Sequence, residues 1–185
     1  MVPTALKRRF TVEEYHRMGA AGILNPGDRV ELIEGEIVQM SPIGSKHAAF
    51  VDFLARVFFS GAGLRAIVRV QNPVRISNAS EPQPDLMLLK PKIDFYASGH
   101  PGPEEVLLLI EVADTSAESD RVIKIPMYAG ASIGEAWLVD MNERHIEAYW
   151  NPRGDAYASS RIHSRGTSVS PQAFPDIHVS IDELP

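Results

Sequence analysis

The chain is 185 residues long, 44% hydrophobic and without cysteine, and its formal net charge is −6. That length and composition suit one globular domain whose core forms without disulfides or thiolate metal sites. The acidic balance excludes a global pull toward nucleic acid, so any such binding must come from a local basic patch or a bound metal.

The opening segment MVPTALKRRF is basic but has no apolar stretch, so no secretory leader is expected. Apolar runs such as VLLLI fall well short of the roughly 20 residues of a membrane span, and a soluble cytoplasmic protein is expected. Thr11-Val12-Glu13-Glu14 has the form of a capping box, with Thr11 as N-cap and Glu14 three residues on; it predicts a short helix ending near Gly19 or Gly22. In VELIEGEIVQM, Glu34-Gly35 separates two apolar-rich arms and predicts a β-hairpin with strands over 30–33 and 36–40. From Ser45 the residues Ala48, Val51, Leu54, Ala55 and Phe58 recur at helical spacing and predict a helix to about residue 60, stopped by Gly61-Ala62-Gly63. AIVRVQNPVRI reads as one or two strands about the Asn72-Pro73 break, and DLMLLK and EVLLLIEV as strands buried on both faces. Residues 117–131 predict a helix with a kink or a late start at Pro126. EAWLVD and HIEAYW read as a further hairpin, followed by shorter strands and a closing helical turn in VSIDELP. No internal repeat or linker interrupts the chain, which reads as one domain over 1–185.

Glu111 is the residue that this reading leaves unexplained. It stands between Ile110 and Val112 in an otherwise apolar strand, and an ionised carboxylate taken out of water costs several kcal/mol unless it is partnered. Asp85 follows two prolines, Pro82 and Pro84, that stiffen the approach to the strand LMLLK. If the two strands are neighbours, the carboxylates converge, and paired carboxylates with backbone carbonyls form the natural cage of Mg²⁺. Lys124, on the following helix, could reach the same place. Taken singly, such residues are more ordinarily a turn residue, a solvated strand end and a solvated helix face.

The stretches ELIEGEIVQMSP with His47, PDLMLL, and LLIEVADTSAESDRVIKIPMYAGASIGEAWLVD resemble the Uma-type putative restriction endonuclease family of the PD-(D/E)XK nuclease superfamily. The resemblance covers most of 31–140. It implies a restriction-endonuclease-like α/β fold: a mixed central sheet flanked by helices, extended by the N-terminal hairpin and the C-terminal strands. It also implies a Mg²⁺-dependent endonuclease (with Mn²⁺ as substitute) that acts on nucleic acid, DNA above all, as a homodimer. The implied catalytic residues are Asp85, Glu111 and Lys124, with Asp85, Glu111 and the Val112 carbonyl as metal ligands. The superfamily's lysine two residues after the glutamate is absent, because Ala113 stands there. Lys124 resembles the family's way of supplying that amine from the next helix. Glu31, Glu36 and His47 match family positions as auxiliary residues, with no choice between the two glutamates. Asp114 could support the site or cap a loop, and Arg65, Arg69 and Arg75 could meet phosphate or form a solvated sheet face.

Three functions compete. The first is the nuclease. The second is a catalytically silent nuclease-fold dimer that serves as a nucleic-acid-binding or interaction module. The third, a metal-free hydrolase using the two acids as acid and base, has the least behind it.

Overall fold

In the computed structural model, which describes residues 7–25, 27–114 and 117–185, the two apolar runs that carry Asp85 and Glu111 become adjacent strands. They are β4 (Leu86–Leu89) and β5 (Val106–Ala113) of a six-stranded sheet, flanked by β3 (Ile67–Val70), β6 (Glu135–Asp140), β7 (His145–Arg153) and β8 (Ala156–His163). The strand order is β3-β4-β5-β6-β7-β8. All neighbours are antiparallel except β5 and β6. A parallel pair needs a crossover rather than a tight turn, and this one is the helical segment that carries Lys124.

Both faces of the central strands are covered. On one lies α2 (Ser45–Ala62), whose Phe50, Val51, Leu54, Ala55, Phe58 and Ala62 form a single apolar stripe. That stripe packs with Leu86, Leu88, Leu108, Ile110, Val112, Trp137 and Val139, the alternate residues of β4, β5 and β6. Phe58 and Trp137 meet with ring centroids 6.0 Å apart. By length and composition α2 with the turn after it is apolar enough to cross a membrane, but its apolar stripe is the core of this layer. Val169 and Val179, in the small antiparallel pair β9 (Ser168–Val169) and β10 (Val179–Ser180), join the same core with Phe174, Ile177, Ile181 and Leu184. The closing turn at Ile181–Glu183 is 3₁₀.

The expected helix over 117–131 is three consecutive stretches: α-helical Ala117–Ser119, π-helical Asp120–Lys124 and α-helical Ile125–Gly130. The cause is Pro126. A proline inside a helix removes one N–H and crowds the carbonyl four residues before it, here that of Val122. The preceding turn widens, and Ile125 N–H donates to the Asp120 carbonyl, five residues back. This crossover helix lies against β7 and β8 and buries Ile125, Tyr128 and Ala129.

The described residues group into two compact units, one made of those in Met1–Pro42 with Arg75–Pro82, the other of Ile43–Val74 with Gln83–Pro185. The first holds α1 (Val12–Ala20) and the hairpin of β1 (Val30–Ile33) and β2 (Glu36–Gln39). The capping box at Thr11 and Glu14 is present in both directions. Glu34 and Gly35 both have positive φ, 48° and 80°, as a two-residue hairpin turn requires. Their amides are tied to the 75–82 segment: Glu34 N–H donates to Ser80 Oγ at 2.9 Å and Gly35 N–H to the Ala79 carbonyl at 2.6 Å.

Two expectations need correction, and one is narrowed. Among the described residues the N-terminal hairpin does not extend the central sheet: β1 and β2 form a two-stranded sheet of their own, with an isolated bridge between Leu32 and Glu81 beside it. Of the one or two strands expected in AIVRVQNPVRI, one forms, β3, since Gln71 turns the chain at φ 50° immediately before Asn72-Pro73. The C-terminal strands are longer than expected: β7 runs through Pro152 to Arg153 and pairs with eight-residue β8 at the sheet edge, where a proline's missing N–H is tolerated.

Candidate functional site

Asp85 and Glu111 are brought to one level of the sheet by register. Leu86 of β4 stands opposite Ile110 of β5, so Asp85, one residue before β4, falls beside the end of β5 where Glu111 and Val112 lie. Its carboxylate is held on several sides. Val112 N–H donates to Asp85 Oδ2 at 2.9 Å, and the Gln71 side-chain amide donates to Oδ1 at 3.2 Å. His47 Nε2, from the first turn of α2, lies 3.2 Å from Oδ2. The Asp85 carbonyl accepts from Gln71 N–H at 3.0 Å, which continues the β3–β4 pairing by one rung. An extended residue directs its N–H and C=O toward the same neighbouring strand, so the Val112 carbonyl faces Asp85 as its N–H does.

Glu111 is buried, its side chain 4% exposed. It points away from α2, toward the crossover helix, where Lys124 Nζ lies 3.3 Å from Glu111 Oε1 and the Tyr128 hydroxyl donates to the same oxygen. The Lys124 side chain is itself only 14% exposed. The carboxylate embedded in an apolar strand is therefore compensated by an amine and a phenol from one helix, four residues apart and so on one face of it.

The same face carries a second cluster. Across β5, β6 and β7 the register aligns Glu111, Leu138 and Glu147 in one row. Glu147 takes both Arg121 Nε, at 3.1 Å, and Arg121 Nη2, and it also accepts from the Tyr149 hydroxyl. His145 Nε2 is 3.1 Å from its Oε1. Burial pushes the Glu147 carboxyl up, but the Arg121, Tyr149 and His145 donors more than offset that and hold it at about 2. Burial and the neighbouring Glu147 charge push the Tyr149 phenol up to about 12.

The other sequence candidates are dispersed. Glu31 is buried in β1, and Glu36 is exposed and paired with Lys7 at 3.3 Å, both in the first compact unit. Asp114 is exposed, and its carbonyl accepts from Asn142 Nδ2 at 3.0 Å. Arg65 grips Asp176 through two nitrogens at 3.0 and 2.7 Å and lies over the Phe174 ring. Arg69 donates to the Phe95 carbonyl, and Arg75 contacts Asn78 at 3.4 Å. Trp137 is core, and the Tyr157 hydroxyl donates to the Ile133 carbonyl at 2.9 Å. Gln71, Tyr128, Arg121, His145 and Glu147 were not singled out from the sequence. Only Tyr128 carried a signal, its four-residue spacing from Lys124.

Asp85, Glu111 and the Val112 carbonyl offer oxygen donors alone, the type a hard divalent cation takes, with neither thiol nor thioether among them. No curated protein matches the chain. A crystal structure described as a putative nuclease belonging to DUF820 from Anabaena variabilis matches with a TM-score of 0.75 at 17% identity, over 95% of this chain and 97% of that one. At that identity the likeness establishes the fold, a nuclease fold with a mixed central sheet. The pattern of the Uma2 family, described as putative restriction endonuclease, matches residues 12–182. The chain, matched over nearly its whole length, belongs to the Uma2 putative restriction endonuclease family.

Proposed function

We propose that this protein is a Mg²⁺-dependent endonuclease that hydrolyses phosphodiester bonds, with DNA as its substrate, at Asp85, Glu111 and Lys124. The observation that supports this most is the delivery of an amine to a buried carboxylate at the strand end beside Asp85, with Lys124 Nζ 3.3 Å from Glu111 Oε1. Residues 1–185 are read as one restriction-endonuclease-like domain, since the family pattern runs through both compact units. A homodimer in the cytoplasm completes the reading, because cutting both strands of a duplex calls for two sites and C₂ pairing is the commonest way to bring two together.

Asp85, Glu111 and the Val112 carbonyl would hold the ion, which when bound would polarise a phosphoryl oxygen and lower the pKa of a water. The protein's own groups do the rest. Val112 N–H, Gln71 and His47 fix the rotation of the Asp85 carboxylate. Tyr128 fixes that of Glu111. The Lys124 amine orients the attacking water and offsets charge that develops on the phosphoryl oxygens. His47 positions Asp85 rather than meeting substrate. Ala113, in the slot where the superfamily has its lysine, favours the second reading, a silent nuclease fold that binds nucleic acid or a partner.

Calorimetric titration with Mn²⁺, run beside cleavage of single- and double-stranded DNA and RNA, separates the two. The expected result is Mn²⁺ binding and cleavage by the wild type, both lost in Asp85→Ala and Glu111→Ala. Lys124→Ala is expected to bind the ion and cut more slowly. An Asp85→Ala protein that binds Mn²⁺ and cuts like wild type refutes the site. Metal binding without cleavage of any substrate supports the silent fold.

A further inference from the structure

We propose that Arg121 and Glu147 are a positioning pair: they fix the π-turn of the crossover helix and so hold the Lys124 amine against Glu111. The inference rests on the reading of Lys124 given above. It starts from the side chains that tie the turn to the sheet. Among residues 120–124, Asp120 is buried but Val122 and Ile123 are 66% and 49% exposed, so the turn's own apolar side chains add little to what fixes its rotation. A π-turn is a rare, widened form met frequently at functional sites, and no side chain caps this one at Ser119. Side chains that reach the sheet from the turn include Arg121 and Lys124, and each ends on a carboxylate of the same row.

The row sets the spacing. Glu111 and Glu147 lie two strands apart with Leu138 between them, about 10 Å at the usual strand separation. Arg121 and Lys124 are three residues apart, so the two contacts pin the turn at two points on one face. The Glu147 contact is the more rigid. Two nitrogens of a planar fork engage it, and Tyr149 and His145 hold the carboxylate from the other side. Lys124 is a flexible stem with a point charge, so its placement depends on where the turn puts its Cα. On this view Glu147 is the post, Arg121 the tie and Lys124 the group delivered.

The experiment uses the full chain as wild type, Arg121→Gln, Arg121→Lys, Glu147→Gln, Lys124→Ala and the double variant Arg121→Gln/Lys124→Ala. The first readout needs no activity: labelling of lysines by an amine-reactive reagent, followed peptide by peptide, with exposed Lys90 as internal reference. Arg121→Gln and Glu147→Gln are expected to raise the Lys124 labelling rate relative to Lys90 by about tenfold, and Arg121→Lys to restore part of the protection, within the range of ordinary coupling between neighbouring sites. Unchanged labelling of Lys124 in both Gln variants overturns the proposal. If one of the two does not fold, the other decides.

The second readout is a kinetic cycle. Arg121→Gln is expected to lower kcat about as much as Lys124→Ala, at unchanged KM, and to add nothing in the Lys124→Ala background. A full multiplicative loss in the double variant would mean that Arg121 acts on the fold and not through Lys124, and overturns the proposal. Undiminished kcat in Lys124→Ala refutes the reading of Lys124 instead, and labelling alone then decides whether the pair positions the turn.

Discussion

Replacing Glu147 with Gln removes a charge but keeps the shape of the side chain, and its effect on acid stability can be worked from the structure. The carboxyl is held at about 2 in the folded protein against an ordinary 4.5. A group whose folded value is depressed contributes stability that is present above its unfolded value and lost as pH falls through the folded one. The window is therefore from about pH 4.5 down to about 2. The full difference would amount to about 3 kcal/mol at about 1.4 kcal/mol per pH unit. Arg121, the main partner, is 39% exposed, so solvent screening reduces this to about 1–2 kcal/mol. Urea unfolding at a series of pH values from about 6 down to about 2 measures it. Wild type is expected to lose about 1–2 kcal/mol more over that range than Glu147→Gln, with the gap opening below about pH 4.5. Parallel loss in the two proteins would show that Glu147 titrates alike in both states, and the donor geometry would then carry no energetic meaning.

Three further outcomes are expected. Phe58→Ala, which empties a fully buried site against Trp137, should cost about 3–5 kcal/mol in urea unfolding, and a cost under about 1 kcal/mol would mean that the α2 layer is not packed as described. Gly35→Ala should destabilise the hairpin by more than about 1 kcal/mol, because φ is 80° there and an added Cβ would fall 2.6 Å from Arg9 Cβ; loss of protection at the Gly35 position in hydrogen exchange is the readout, and an unaffected amide would refute the turn geometry. The double variant Glu111→Leu/Lys124→Met should be at least as stable as wild type yet bind no Mn²⁺ in calorimetry, whereas Lys124→Met alone should lose about 3–5 kcal/mol. Equal stability of the single and double variants would show that the pair is not buried in solution.

Much of the sheet was legible because its central strands are buried on both faces: LMLL is an unbroken apolar run, and VLLLIEVA is interrupted only by Glu111. The two acids stood out for opposite reasons, Glu111 as a charge inside such a run and Asp85 as a residue stiffened by prolines before one. What could not be read follows from the same physics. Strand β8 lies at a sheet edge with Ser160, Arg161 and Ile162 all exposed, so ASSRIH shows no period of two. The separate sheet of β1 and β2 depends on ties from residues 75–82, remote in sequence. Gln71 reaches Asp85 only because the chain turns at positive φ after β3. Glu147 sits in HIEAYW, where strand alternation alone assigns it to solvent. Its burial is a property of the crossover helix that covers it, and that helix takes its π-turn from Pro126.

The row formed by Glu111, Leu138 and Glu147 is also an argument about purpose. Leu138 shows what the position between two sheet faces and a covering helix ordinarily takes, an aliphatic side chain that gains from leaving water. A buried ion pair such as that of Glu111 with Lys124 gives the fold little, since desolvation of both charges roughly cancels their attraction and apolar replacements commonly serve stability as well or better. The two pairs drawn from one helical turn, one buried and one half-exposed, are not explained by stability alone. They are well explained if one carboxylate must be kept charged at the end of β5 beside Asp85, and if the amine that keeps it so must be held in place by the other.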